Sequence, residues 1–125
     1  MLKKLLLIGF GGFTGSIARY FVSQLNLSIE FHSIPVGTLL ANVLGCLIIG
    51  VLTGIADKSA LLTLEVRLFL MIGFCGGFTT FSTFANENLM LLHSGELLTI
   101  LLYSGLSIFL GFLAVYLGYV ITNAL

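Results

Sequence analysis

Uncharged apolar stretches of nearly membrane length alternate along the chain with short polar connections. A helix needs about 20 residues to cross about 30 Å of hydrocarbon. Four segments approach that length: Leu5 to Leu25, interrupted by Arg19; Ile34 to Ala56, free of charge; Leu68 to about Asn86; and Leu97 to Leu125, again free of charge. The connections Asn26 to Ser33, Asp57 to Thr63 and Asn88 to Glu96 leave no room for a domain outside the membrane. The pattern predicts an all-α membrane protein whose residues 1–125 form one four-helix transmembrane domain.

The third segment departs from a plain span. Its run Gly73-Phe74-Cys75-Gly76-Gly77-Phe78-Thr79-Thr80-Phe81-Ser82-Thr83-Phe84 mixes helix breakers, four hydroxyls and four phenylalanines within an uncharged stretch. Hydrocarbon offers freed backbone groups no water, so an interrupted helix at that depth is tolerated only where protein or a polar cavity satisfies them. A broken third helix built around an ion site is the expectation.

Composition narrows the function classes. With 58% hydrophobic and 8% charged residues, one proline and no tryptophan, a soluble core is excluded. The formal charge is zero and no basic run exists, so neither nucleic acid nor an anionic lipid surface has an electrostatic footprint. The start Met1-Leu2-Lys3-Lys4 has the charge-then-apolar order of a secretory signal. Gly9, Gly11, Gly12, Gly15 and Arg19 suit a packed helix better than a disposable one, and the first span is expected to stay attached.

Small residues recur at four-residue spacing: Gly11 and Gly15; Gly37, Ala41 and Gly45; Gly50 and Gly54; Ser107 and Gly111; Ala114 and Gly118. Close backbone approach over such stripes drives helix association in lipid. Each stripe alone is explained by packing within the chain; their presence on several spans suggests surplus interface and a two-fold dimer. Cys46 and Cys75 fall within spans, no partner lies at metal-ligand spacing, and His32 and His93 are placed in loops. With no Ser/His/Asp set, paired intramembrane carboxylates or phosphate-cradling loop, the chain does not read as an enzyme.

The remaining polar residues suggest a path. Arg19 is the one charge inside a span, and a lone guanidinium at the bilayer centre costs about 3 kcal/mol or more. It either snorkels to the interface or forms a vestibule charge that draws in anions and leans on a partner helix. Asn42, at mid-span, either bonds a neighbouring helix or offers an N–H donor to a passing anion. Tyr103 and Ser107 are four residues apart and share a face, repeating the theme of neutral donors without any acid. Phe78, Phe81 and Phe84 recur every three residues and are expected on one side of a helix. Such stripes fill cores, but ring edges are positive and can favour a small anion without trapping it.

These residues carry a resemblance. The chain resembles the Fluc/CrcB family of fluoride channels through Gly11-Gly12-Phe13-Thr14-Gly15-Ser16-Ile17-Ala18-Arg19-Tyr20, Pro35-Val36-Gly37-Thr38-Leu39-Leu40-Ala41-Asn42-Val43-Leu44-Gly45 and, most specifically, Gly73 to Phe84. The resemblance covers essentially the whole chain. It implies an antiparallel dimer of four-helix subunits, two fluoride pores beside the interface and a central sodium ion held by backbone carbonyls of Gly76 and Thr79 from both subunits. It places ring edges at Phe81 and Phe84, the pore amide at Asn42, a polar track at Ser82, Thr83, Tyr103 and Ser107, and the arginine ending the first span at Arg19. The implied activity is passive, electrodiffusive fluoride efflux across a bacterial cell membrane, since hydrogen fluoride enters as a neutral acid and ionises in the cytoplasm.

An antiparallel homodimer calls for little Lys/Arg bias between the two sides of the membrane. Lys3, Lys4, Lys58 and Arg67 fall on the side of the termini against Arg19 toward the other, which favours cytoplasmic termini. The partner implied is therefore a second copy or an oppositely oriented homologous subunit. The rival reading is a small multidrug-type proton-coupled antiporter. It needs an intramembrane carboxylate, whereas Glu30, Asp57, Glu65, Glu87 and Glu96 are all read as falling in loops or near span ends.

Overall fold

The computed structural model describes residues 1–28, 32–58 and 61–125. Helix α1 (Leu2–Ser23) is followed by the single turn α2 (Leu25–Ser28), and α3 (Val36–Lys58) forms the second span. The third is composite: α4 (Leu64–Arg67), a π-helical segment (Leu68–Cys75), α5 (Gly76–Phe78) and α6 (Phe81–His93). Helix α7 (Leu97–Ala124) completes the chain. Residues Leu2–Ser28, Val36–Lys58, Leu64–His93 and Leu97–Ala124 are each long and apolar enough to cross a membrane. The protein is an all-α, multi-pass membrane protein.

Local chemistry explains the helix ends. Asn26 caps α3 from outside it: its Oδ1 accepts from the backbone N–H groups of Gly37 at 2.6 Å and Thr38 at 3.3 Å, two of the four donors a helix start leaves unpaired. Helix α6 ends in a Schellman motif. Gly95 takes a left-handed φ of 76°, and the N–H groups of Glu96 and Gly95 return to the carbonyls of Leu91 and Leu92 at 2.9 and 3.1 Å. This stop lies later than the residue pattern suggests. The third span continues to His93, so Asn88 and His93 belong to helix rather than to a connection, and Glu87 lies inside α6 rather than in a loop or near a span end. Glu30 lies outside the described residues.

The spans pack as two parallel pairs. In the first, α1 meets the third span through glycines on both sides. A Cβ on Gly15 would stand 2.2 Å from the Phe74 carbonyl oxygen, and one on Gly77 would stand 2.5 Å from that of Gly12. In the second, α3 meets α7: a Cβ on Gly50 would stand 2.2 Å from the Val115 oxygen, and one on Gly118 would stand 2.5 Å from that of Leu47. Only residues without a side chain allow backbones this close. The stripes taken as surplus interface are therefore largely consumed inside one chain. Open space surrounds a different set, Gly9, Gly76, Gly95 and Gly105.

The charged ends gather with the termini. Lys3 pairs with Glu65, and Lys58 donates to the Asn123 carbonyl, which joins the start of α1, the end of α3, the start of the third span and the end of α7. Large apolar side chains cover the outside of the bundle, among them Phe10, Phe13, Phe21, Phe109, Phe112 and Tyr116. Water would penalise such a surface; hydrocarbon or another apolar chain would not.

Candidate functional site

The centre of the site is the gap between α5 and α6. Thr79 (φ −85°, ψ 156°) and Thr80 (φ −152°, ψ 118°) are both extended. Thr79 closes α5, with its N–H and its hydroxyl both donating to the Cys75 carbonyl at 3.0 and 2.8 Å. Thr80 opens α6 as its N-cap, its Oγ1 accepting from the Thr83 N–H at 3.3 Å.

Asn42 of α3 holds the gap from the side. Its Oδ1 accepts from the Thr80 N–H at 2.7 Å, and its Nδ2 donates to the Thr80 carbonyl at 3.1 Å. The amide thus bonds the main chain as a neighbouring β-strand would. It carries two N–H donors, and one is spent here.

These bonds redirect donors. In an uninterrupted α-helix the Gly76 carbonyl would take the Thr80 N–H and the Thr79 carbonyl would take the Thr83 N–H. The first N–H goes instead to Asn42 and the second to the Thr80 hydroxyl. Two main-chain oxygens at mid-span are thereby released from their helical donors. Of the two carbonyls between them, that of Gly77 is taken by Arg19, whose Nε donates to it at 3.0 Å. Arg19 is thus tied to the third helical span at the level of the gap.

Two cavities flank Thr80. One, of about 480 Å³, is lined by Asn42, Gly76, Thr79, Phe81, Phe84 and Ser107, together with apolar and sulfur-bearing side chains. The Ser107 Oγ is buried and has no hydrogen-bond partner among the described residues. The other, of about 310 Å³, is lined by Arg19, Asn26, Thr38, Thr83 and Glu87 among others. Thr80 lines both. Ser82 and Tyr103 line neither, although the Ser82 hydroxyl lies 3.5 Å from that of Thr80.

The aromatic stripe is split by the gap. Phe78 turns inward, 5% exposed, and stacks on Phe74 with centroids 5.6 Å apart. Phe81, 79% exposed, pairs instead with Phe84 at 5.8 Å, and Phe84 meets the Tyr103 ring at 5.0 Å. A three-residue spacing puts side chains on one face only while the helix is continuous. The two extended residues reset the phase, so the expectation of one shared face fails for Phe78.

An acid accompanies the polar residues, contrary to the expectation of a track without one. Glu87 of α6 accepts from the Thr38 hydroxyl at 2.6 Å and from the Tyr103 phenol at 2.6 Å. Thr38 in turn accepts from the Asn26 amide at 3.2 Å. Tyr103 is fully buried, and its hydroxyl is committed to this carboxylate. The available signal was Thr83 followed four residues later by Glu87 on a helix capped at Thr80.

Among the described residues no group of three or more His, Cys, Asp or Glu could hold a metal ion. The oxygens at the gap, main-chain carbonyls and threonine hydroxyls, are the donor type that hard cations prefer.

Comparison with known proteins identifies the family. Residues 6–119 match the family model described as CrcB-like protein, Camphor Resistance (CrcB). The chain is 45% identical over 123 residues, 98% of each chain, to the fluoride-specific ion channel FluC of Azobacteroides pseudotrichonymphae. It is 47% identical over 123 residues to the protein of the same name in Campylobacter jejuni strain RM1221, covering 97% of this chain and 98% of the other. The similarly named protein of Flavobacterium psychrophilum is 38% identical over 124 residues, 99% and 100% of the two chains. The chain belongs to the CrcB family, whose named relatives are ion channels and not enzymes.

Proposed function

We propose that this chain is a fluoride-selective channel that lets cytoplasmic fluoride leave a bacterium through the inner membrane by passive electrodiffusion. The names of its relatives support the ion, and the larger cavity supports the manner of handling it. The observation that carries most weight is the buried Ser107 hydroxyl, without a hydrogen-bond partner among the described residues, on a residue that lines the same space as Phe81, Phe84 and Asn42. Fluoride is strongly hydrated, so a pore must replace its water with close-range donors. Ser107 and the second Asn42 N–H are such donors, and the edges of Phe81 and Phe84 add weak positive potential without a fixed charge. Ser82, Thr83 and Tyr103 complete the polar track; Tyr103 acts by holding Glu87 and supporting Phe84. Arg19 and Thr83 line the smaller cavity, the vestibule of this reading.

The channel unit is an antiparallel dimer, of two copies or of this chain with an oppositely oriented homologue, containing two pores. The carbonyls of Gly76 and Thr79, released by Asn42 and Thr80, are the oxygens that would hold a sodium ion shared with the second subunit. Gly76 is exposed with open space around its Cα, which suits contact with another chain. Such an ion supplies fixed positive charge and a cross-link between subunits.

A proton-coupled antiporter remains the second reading because Glu87 is the carboxylate such a mechanism requires. Both of its oxygens are already engaged by Thr38 and Tyr103, which favours a structural role. Efflux from proteoliposomes loaded with fluoride or chloride tests the proposal. Fluoride release far exceeding chloride release supports it; equal release of the two anions, or none, contradicts it.

A further inference from the structure

Three of the residues around the larger cavity carry sulfur. Cys46 of α3 and Met71 and Cys75 of the π-helical segment all line it. Cys75 is 4% exposed, and Met71 packs against the apolar cluster that contains it. Cys46 sits on α3, its Sγ 3.5 Å from where a Cβ on Gly111 of α7 would stand. Both cysteines are free thiols. The fluoride path proposed above uses none of the three. Packing alone asks only for apolar bulk at these positions, whereas residues from two spans bring three soft donor atoms to the lining of one space.

We propose that Cys46, Cys75 and Met71 form a binding site for a soft monovalent cation of the copper(I) and silver(I) class. Thiolate and thioether sulfur are the donors that select such ions over sodium, magnesium or calcium, and two or three sulfurs suffice for them. The charge balance also favours a monovalent ion. One thiol loses its proton to solvent as its S–H bond breaks and a sulfur–metal bond forms. The product is a neutral metal thiolate, with the second thiol and the thioether as neutral donors. No net charge is left in a low-dielectric wall, where an isolated charge would be costly. Because Phe81, Phe84 and Ser107 border the same space, an ion bound there obstructs fluoride. Only that consequence rests on the fluoride-channel reading.

The test uses the full chain, purified in detergent, with silver(I) in chloride-free buffer as the probe. After desalting, the metal content of the wild type is expected at about one silver per chain. Bound silver should protect both cysteines from a small thiol-alkylating reagent, read by mass spectrometry. Cys46→Ala combined with Cys75→Ala should lose the retained silver, and Met71→Leu should release it at a lower concentration of competing thiol. In proteoliposomes, silver should block fluoride release by the wild type but not by the double variant. A wild type that retains no silver, or equal retention without the cysteines, overturns the proposal, as does protection of only one thiol. If no fluoride flux exists to be blocked, silver retention still decides this site independently.

Discussion

The Asn42 carboxamide and the Thr80 main chain exchange two hydrogen bonds, at 2.7 and 3.1 Å, across the gap between α5 and α6. This pairing diverts the Thr80 N–H from the Gly76 carbonyl and fixes the direction in which α6 restarts. Asn42→Asp keeps the acceptor, loses the donor and adds a charge. A buried group left unpaired costs about 1–3 kcal/mol, more if charged. Thermal unfolding in detergent should show that loss, and fluoride efflux from liposomes should vanish. An Asp variant with wild-type stability would mean the second bond contributes nothing.

The glycine contacts predict opposite outcomes for the same substitution. Gly15→Ala places a methyl 2.2 Å from the Phe74 oxygen, whereas nothing lies within 4 Å of a Cβ at Gly9 or Gly105. Overpacking of this kind costs about 1–3 kcal/mol or more, while alanine in an open helical position gains about 1 kcal/mol in propensity. Gly15→Ala should lower folded yield and unfolding temperature; Gly9→Ala should leave both unchanged or raise them. Similar behaviour of the two variants would show that α1 does not pack on the third span in this way.

Glu87, Tyr103 and Thr38 should behave as one unit. Hydrogen bonds to a charged acceptor contribute about 1.5–3 kcal/mol each. Glu87→Gln, Tyr103→Phe and the double variant form a cycle whose coupling should exceed about 0.5 kcal/mol in unfolding free energy. Strict additivity would indicate that the carboxylate and phenol do not meet.

The two phenylalanines of the larger cavity can be separated by their burial. Phe81 is 79% exposed, so Phe81→Ile should leave the unfolding temperature of the monomeric fold nearly unchanged while abolishing fluoride flux. Phe84 packs on both Phe81 and Tyr103, and Phe84→Ile should lower stability as well as flux. Full flux through Phe81→Ile would remove the ring edges from the proposed path.

How much of this could be read from the residues differs by element. The four spans follow from hydropathy alone, because length and lack of charge leave no alternative. Sequence leaves Arg19 open between snorkelling and a vestibule charge that draws in anions and leans on a partner helix; its bond to the Gly77 carbonyl shows a contact with the third span. The sequence places Glu87 in a loop or near a span end because a hydropathy boundary ends a span where polar residues begin. Two donors from other spans let the helix carry a carboxylate further. Phe78 was misplaced since period arguments assume a continuous helix, and the extended pair at Thr79 and Thr80 breaks the phase. The small-residue stripes were visible, but spacing says nothing about which backbone approaches. Gly15 and Gly50 proved to face neighbours within the same chain.

Sodium should matter for stability more than for selectivity. If Gly76 and Thr79 carbonyls of two chains share the ion, replacing all sodium with a large organic cation should lower the unfolding temperature of the dimer or dissociate it. Restoring sodium should reverse the change. Identical melting curves in the two media would argue against an ion at the gap.

The most direct test of electrodiffusive transport is fluoride release from proteoliposomes that hold a potassium gradient, with pH clamped equal on both sides. Release that begins only when valinomycin supplies the countercharge, and that Asn42→Asp and Phe81→Ile abolish, is the predicted result. Release that proceeds without valinomycin, or that requires a proton gradient, would contradict it.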